Sequence, residues 1–192
     1  MIRETWCTCE EEVLRLAGYQ TYFLNRLKRR GGGVLQLVSE EIACSIVADF
    51  SVVTQDVEVL TLAYKNHLFV NIYRPPDEKI DKFIDFLEQI PSHVSSENLD
   101  VIIGGDFNIN LLKNTAQTRA FELCLKLFCC ENLIKKPTRI SGDSESLLDL
   151  FVANNPTKCA KSGTINTDLS DHLPIYMFYK HSVKHVLYTR PP

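Results

Sequence analysis

Two polar motifs at the ends of apolar runs carry residue types suited to phosphate chemistry. Gly104-Gly105-Asp106-Phe107-Asn108 follows the apolar run Leu99 to Ile103 and sets a carboxylate and an amide two residues apart. At a strand end that spacing turns both side chains the same way, so Asp106 and Asn108 can face one site, and the glycines admit a close backbone or ligand. The same residue types also build ordinary turns. Leu169-Ser170-Asp171-His172 places an imidazole, the natural proton mover near neutral pH, beside a carboxylate that can raise its pKa or share a cation. A histidine alone in a loop is more often plain surface. Asp149 stands inside Leu147-Leu148-Asp149-Leu150-Phe151, where an unpaired carboxylate is costly to bury, so it must be paired or point outward. His172 is its candidate partner. Glu4, in Arg3-Glu4-Thr5-Trp6, and Tyr73, in Asn71-Ile72-Tyr73-Arg74-Pro75-Pro76, say little individually.

These side chains need a scaffold that gathers the ends of distant segments. The first 30 residues read as a polar stretch with a short helix from Glu10 to Leu16, stopped at Gly18-Tyr19, and Gly31-Gly32-Gly33 follows. Apolar runs Val34 to Val38, Ile42 to Phe50, Val57 to Tyr64 and His67 to Tyr73, separated by short polar breaks, predict consecutive strands in antiparallel pairs. Pro75-Pro76 ends the last, because proline cannot donate to a ladder. Ile80, Phe83, Ile84, Leu87 and Ile90 form one helical stripe, with Asp77 placed to cap it and Pro91 to end it. Leu99 to Ile103 reads as a strand buried on both faces. A second helix is predicted from Thr115 to Glu131, then strands over Leu147 to Ala153, Ser162 to Ile165 and Leu173 to Tyr179. The expected fold class is α/β: a layered sandwich of two mostly antiparallel sheets packed face to face, helices outside. One domain over 1–180 is expected, with 181–192 as a tail.

Composition narrows the function classes. In 192 residues, 45% are apolar and 23% charged, enough for one core and unlike a disordered or collagen-like chain. A formal charge of -3 excludes a histone-like protein, so nucleic acid must be gripped by local basic groups. Two clusters qualify, Arg26-Leu27-Lys28-Arg29-Arg30 and Lys135, Lys136 and Arg139 ahead of the hairpin-like Ser141-Gly142-Asp143. Either is also compatible with a merely solvated surface. No apolar run approaches a bilayer span, and four glutamates before Val13 leave no room for a signal-peptide core, so no membrane association is expected. Seven cysteines, odd in number and mostly beside apolar neighbours, fit a reducing intracellular compartment, the nucleus included. Their spacing does not suit zinc.

Taken in order, Glu4-Thr5-Trp6, Gly31-Gly32-Gly33-Val34, Ile72-Tyr73-Arg74-Pro75-Pro76, Gly104-Gly105-Asp106-Phe107-Asn108, Pro137-Thr138-Arg139 with Ser146-Leu147-Leu148-Asp149, and Ser170-Asp171-His172 resemble the endonuclease/exonuclease/phosphatase superfamily, and within it the endonuclease domain of non-LTR retrotransposons. The resemblance runs over residues 3–179. It implies that Glu4 binds a divalent cation, with Asp171 a second acidic residue near it. Asp106 would activate the attacking water or protonate the leaving oxygen, Asn108 hold the phosphate and Tyr73 contact it. His172, oriented by Asp149, would stabilise the transition state, and Thr138, Arg139, Ser146 and Ser170 would lie along the DNA. The implied cofactor is Mg2+ (or Mn2+), with no small-molecule organic cofactor, and the implied partner is DNA. Magnesium suits such oxygen donors, needing only one or two carboxylates besides the substrate phosphate.

The family opens with a strand that carries an asparagine ahead of the Glu-Thr-Trp segment, whereas Glu4 stands almost at the start here, so the resemblance implies a domain with its first strand missing. Two functions follow as expectations. One is a metal-dependent endonuclease that nicks DNA. The other is a catalytically dead remnant of a mobile-element reading frame with at most weak nucleic-acid binding. The superfamily also holds phosphatases and lipid phosphodiesterases, but the Pro-Thr-Arg and Ser-Leu-Leu-Asp spacing favours the retrotransposon branch.

Overall fold

Glu58 to Tyr64 and His67 to Tyr73 are apolar runs that mix β-branched and aromatic residues on either side of a two-residue break, Lys65-Asn66, and they form the hairpin at the centre of the protein. The structure, a computed structural model, describes all residues except 8, 10, 11, 27–30, 77, 98 and 181–192, and the side chains of 91–97 also lie outside the description. The element order is β1 (Ile2–Arg3), β2 (Tyr19–Leu24), β3 (Val34–Ser39), β4 (Ser45–Ile46), β5 (Val52–Val53), β6 (Glu58–Tyr64), β7 (His67–Tyr73), α1 (Ile80–Glu97), β8 (Asp100–Asp106), α2 (Ala116–Leu127), β9 (Glu131–Asn132), β10 (Arg139–Ser141), β11 (Ser144–Ser146), β12 (Asp149–Ala153), β13 (Cys159–Thr164) and β14 (Ile175–Tyr179).

The larger sheet has the order β4-β6-β7-β8-β12-β9, with β5 also paired to β6. Its β7–β8 pair is parallel and its other pairs are antiparallel. A parallel pair needs a long crossover, and α1 supplies it. α1 and α2 cover one face. There Phe83, Leu87 and Ile90, then Phe121, Cys124 and Leu125, pack on Val59, Val70, Ile72, Val101, Ile103 and Val152. Phe107 sits between the helices, its ring centroid 5.7 Å from that of Phe83 and 5.3 Å from that of Phe121. The opposite face packs on a smaller sheet of order β1-β3-β2, with Val34, Leu60, Leu62 and Tyr73 buried between the two. The result is the two-sheet α/β sandwich with helices outside. β10–β11 and β13–β14 form two further hairpin sheets.

Several local expectations give way. Strand β2 forms in the stretch read as polar, because each of its six residues pairs with β3, a ladder that period alone does not announce. The helix expected from Glu10 to Leu16 does not form over 13–16, where seven residues would be too few to nucleate, and Glu10 and Glu11 lie outside the described residues. Ile42 to Phe50 yields only β4 and one turn of 3-10 helix at Ala48–Phe50. β3 pairs with β1 and β2 rather than with the strand after it.

α1 runs through Pro91 to Glu97, since proline removes one backbone donor but the remaining ladder can carry the helix onward. The capping role assigned to Asp77 falls outside the described residues. α2 stops at Leu127 rather than Glu131. Cys129 takes a left-handed φ of 51°, and the Cys130 and Cys129 N–H groups close back on Leu125 and Lys126, a Schellman ending. At its start Thr115 Oγ1 accepts from Thr118 N at 3.1 Å. The expected tail, 181–192, lies outside the described residues. No described helix is long and apolar enough to cross a membrane.

Candidate active site

Strand pairing builds one row of polar side chains. Glu58 on β6 stands opposite Tyr73 on β7, Tyr73 opposite Asp106 on β8, and Asp106 opposite Asp149 on β12. Cross-strand neighbours share a face, so four groups line up on the side of the larger sheet that faces β1-β3-β2. Gly105 makes the packing possible, because a Cβ there would strike the Ile72 carbonyl of β7. Arg74 secures the turn that follows. It is fully buried, with Nη1 donating to the Phe107 and Asn108 carbonyls at 3.3 and 3.2 Å and Nη2 donating to the Glu78 carbonyl.

Asp149 is enclosed on every side. His172 Nδ1 lies 2.8 Å from its Oδ2, and Arg3 Nη2 pairs with its Oδ1. Thr138 Oγ1 accepts from the N–H groups of Leu148 and Asp149 at 3.0 and 2.9 Å. The histidine reaches this partner through backbone rather than sequence proximity. Arg139 bridges His172, Leu173 N donates to the Thr138 carbonyl at 2.7 Å, and Ile140 N donates to the Asp171 carbonyl at 2.9 Å. The base of the β10–β11 hairpin therefore holds the Ser170-Asp171-His172 loop against β12.

Glu4 and Tyr73 form a second contact, the Tyr73 hydroxyl donating to Glu4 Oε1 at 2.6 Å. Asn108 has a left-handed φ of 48°. Its N–H donates to Asp106 Oδ1 at 3.0 Å and its Nδ2 donates to the Arg74 carbonyl at 2.8 Å. The ligand atoms of Asp106, Asp149 and His172 all lie within 4.8 Å of one another, close enough to share one cation. Glu4 and Asp171 stand outside that trio. Asp171 is exposed and accepts from Arg139 Nε at 2.8 Å. Of the residues expected along DNA, Arg139, Ser146 and Ser170 lie at least partly on the surface, whereas Thr138 is fully buried and its hydroxyl is turned inward. Arg26 is described and pairs with Glu58; Lys28, Arg29 and Arg30 lie outside the described residues.

The electrostatics follow from this crowding. Burial, and then the Asp149 charge opposite, push the Asp106 carboxyl up to about 6, despite Arg3 and the Asn108 N–H acting against them. The hydrogen bond with Asp149 raises the His172 pKa and favours the imidazolium. Burial, with the Glu4 contact adding, raises the Tyr73 phenol and keeps it protonated. Bonding to Arg139 lowers Asp171. Such a site can take a proton at Asp106, present positive charge at His172 and donate a hydrogen bond from Tyr73.

Reading from sequence missed three residues here: Arg3, Glu58 and Arg74. Glu58 carries the signal that singled out Asp149, a carboxylate at the head of an apolar strand. Arg3 and Arg74 each adjoin a motif residue, and nothing local marks them as buried partners.

A comparison with curated proteins finds no match. Among solved structures the fold is similar to that of the endonuclease domain of TRAS1, a telomere-specific non-LTR retrotransposon, with a TM-score of 0.69 at 13% identity over 88% of this chain and 83% of that one. It is also similar to an endonuclease/exonuclease/phosphatase family protein from Leptotrichia buccalis C-1013-b, with a TM-score of 0.56 at 17% identity over 85% and 72%. The 3′ phosphatase NExo from Neisseria, bound to product DNA hairpin, gives a TM-score of 0.59 at 12% identity over 85% and 80%. At such identities the likeness is one of fold. The sequence profile described as endonuclease-reverse transcriptase matches residues 67–176, the stretch that runs from β7 into β14 and carries Tyr73, Asp106, Asn108, Asp149, Asp171 and His172. With more than half of its residues inside that match, the chain belongs to the endonuclease-reverse transcriptase family of the endonuclease/exonuclease/phosphatase superfamily.

Proposed function

We propose that the protein is a divalent-cation-dependent phosphodiester hydrolase that nicks DNA, an endonuclease of the non-LTR retrotransposon type. The observation that carries this reading is the convergence of Asp106, Asp149 and His172, from β8, β12 and the loop before β14, within 4.8 Å. The donor set fits a hard cation. Glu4 has one carboxylate oxygen engaged by Tyr73, and Asp106 has one engaged by the Asn108 N–H, which leaves oxygen donors of the kind magnesium or manganese prefers. Glu4 would hold the ion, with Asp171 near it, and Asp106 beside it is kept for the proton. When bound, the cation supplies Lewis-acid polarisation of the phosphate and neutralises charge on the leaving oxygen.

The remaining chemistry belongs to side chains of this chain. Asp106, with its raised pKa, accepts a proton from the attacking water. His172, kept cationic by Asp149, faces the phosphoryl oxygens as they gain charge. Tyr73 turns its one hydroxyl hydrogen from Glu4 to a nonbridging oxygen once the cation takes up that carboxylate, and Asn108 orients the phosphate. Arg139, Ser146 and Ser170 contact the DNA backbone along the hairpin, and Thr138 acts indirectly by fixing Asp149.

Binding without turnover is the second reading, favoured by Arg3, whose guanidinium occupies one oxygen of Asp149 and supplies positive charge that a cation would otherwise bring. Supercoiled plasmid with magnesium separates the two. The endonuclease reading expects nicked circles that vanish with chelator and in Asp106→Ala. Nicking that ignores chelator or survives the substitution overturns the assignment, and binding with no nicking at all supports the second reading.

A further inference from the structure

Glu58 is fully buried in the cross-strand row, and its carboxylate serves a loop rather than the sheet. Oε1 pairs with Arg26 and Oε2 accepts from Gly33 N at 2.6 Å. That contact pins the start of β3 at the glycine turn, where Gly31, Gly32 and Gly33 have φ of +87°, +78° and +90°. The pinned turn grips the chain ahead of it. Trp6 N donates to the Gly32 carbonyl at 3.0 Å and Thr5 N to the Gly33 carbonyl at 3.4 Å. The fit leaves no spare volume, because a Cβ on Gly33 would strike Thr5 Oγ1 and one on Gly32 would strike Glu58 and Arg26.

The gripped segment is one that needs holding. Glu4 and Trp6 have φ of 49° and 57°, a region that residues with a Cβ keep only where their surroundings impose it. Glu4 is exposed, so little packing fixes it. Burying an ion pair under a sheet is a poor way to gain stability, since an apolar side chain of similar size serves as well or better. A carboxylate at position 58 is explained by what it positions.

We propose that Glu58 is a positioning residue: with Arg26 it docks the glycine turn, which clamps Glu4-Thr5-Trp6 so that the Glu4 carboxylate stands at the Tyr73 hydroxyl, presented to a divalent cation. The inference rests on Glu4 as a cation ligand, as read above.

The test uses the whole chain with Glu58→Gln, which keeps an acceptor for Gly33 but loses the charge that holds Arg26, and Gly33→Ala, which disturbs the clamp from the loop side. Trp6 is the sole tryptophan, and although it is 54% exposed a Cβ on Gly31 would lie 3.7 Å from its ring, so acrylamide quenching reads how far the docked turn shields the remaining face, without any reference to catalysis. Both variants are expected to show more acrylamide quenching than wild type. Both should also raise the magnesium concentration that half-saturates plasmid nicking by on the order of tenfold, with most of the turnover restored at saturating magnesium. Wild-type quenching and wild-type magnesium dependence in Glu58→Gln overturn the proposal. If Glu58→Gln melts without cooperativity, Gly33→Ala decides by the same two readouts. If the wild type nicks nothing, the nuclease reading has failed by itself. The quenching, and the rise in melting temperature on adding magnesium, then decide the role of Glu58.

Discussion

Asp106 and Asp149 stand directly opposite each other at the adjoining ends of β8 and β12, two buried carboxylates on one face of one sheet. Strand register alone brings them together, and the neighbours of each decide its role. Asp149 is paired with His172 and Arg3, while Asp106 is left to bear its own burial and, after that, the repulsion.

That asymmetry makes stability depend on pH in a definite direction. The folded state raises the Asp106 carboxyl from its ordinary 3.8 to about 6 and so binds a proton more tightly than the unfolded chain. Its contribution therefore falls as pH rises through roughly 4 to 6 and is fully unfavourable above that, by at most about 3 kcal/mol. The raised His172 acts in the same sense, stabilising below its unfolded pKa and losing this as pH climbs through the folded one. Asp106→Asn should melt like wild type at pH 4 and roughly 6–10 °C above it at pH 8 in chelator. An asparagine variant that melts below wild type at pH 8 would contradict the repulsion described here.

Magnesium should relieve the same repulsion. Wild-type protein at pH 7.5 is expected to gain about 2.7 kcal/mol of stability at a hundredfold excess over the dissociation constant. Asp106→Asn and Glu4→Gln should gain much less. Calorimetric melting with and without the ion measures this, and equal gains in all three proteins would place the cation elsewhere.

Asp149→Asn removes the charge that both His172 and Arg3 face, so it should destabilise by about 1–3 kcal/mol by leaving two partly buried cations without their partner. It should also lower the imidazole pKa, visible in the NMR titration of His172. Nicking by His172→Ala is expected to fall about 10²- to 10³-fold, on the order seen when one group that stabilises transition-state charge is removed. An unchanged imidazole titration in the Asp149 variant would break the link between the two.

Thr138→Val keeps the shape and deletes the acceptor for two backbone N–H groups. A loss of about 1–3 kcal/mol follows from leaving both unsatisfied. DNA affinity at low salt should stay near wild type, because the hydroxyl is turned inward. A variant with full stability but weaker binding would show that Thr138 contacts DNA directly.

Arg139 sits where hairpin and loop meet, and its exposed pair with Asp171 contributes at most about 1 kcal/mol to stability. Arg139→Ala should leave melting almost unchanged and reduce the slope of log affinity against log salt for duplex DNA by about 0.9, one phosphate contact. A slope equal to wild type would remove Arg139 from the interface.

Much of this protein was legible in one dimension. The apolar runs Val57 to Tyr64 and His67 to Tyr73, the helical stripe from Ile80 to Ile90 and the buried run before Gly104 follow from local preference, which sequence encodes directly. Asp106 and Asp149 were legible for the same reason, as carboxylates at apolar runs, and His172 as an imidazole beside the Asp171 carboxylate. What only tertiary structure decided is non-local. β2 exists because β3 pairs with it, α1 passes the proline at which it was expected to stop, and Thr138 turns inward because two N–H groups of β12 need its oxygen. Glu58 and Arg3 acquired partners 32 and 146 residues away. Such pairings depend on register across strands and on which buried charges must be matched, and neither quantity is carried by any short window of residues.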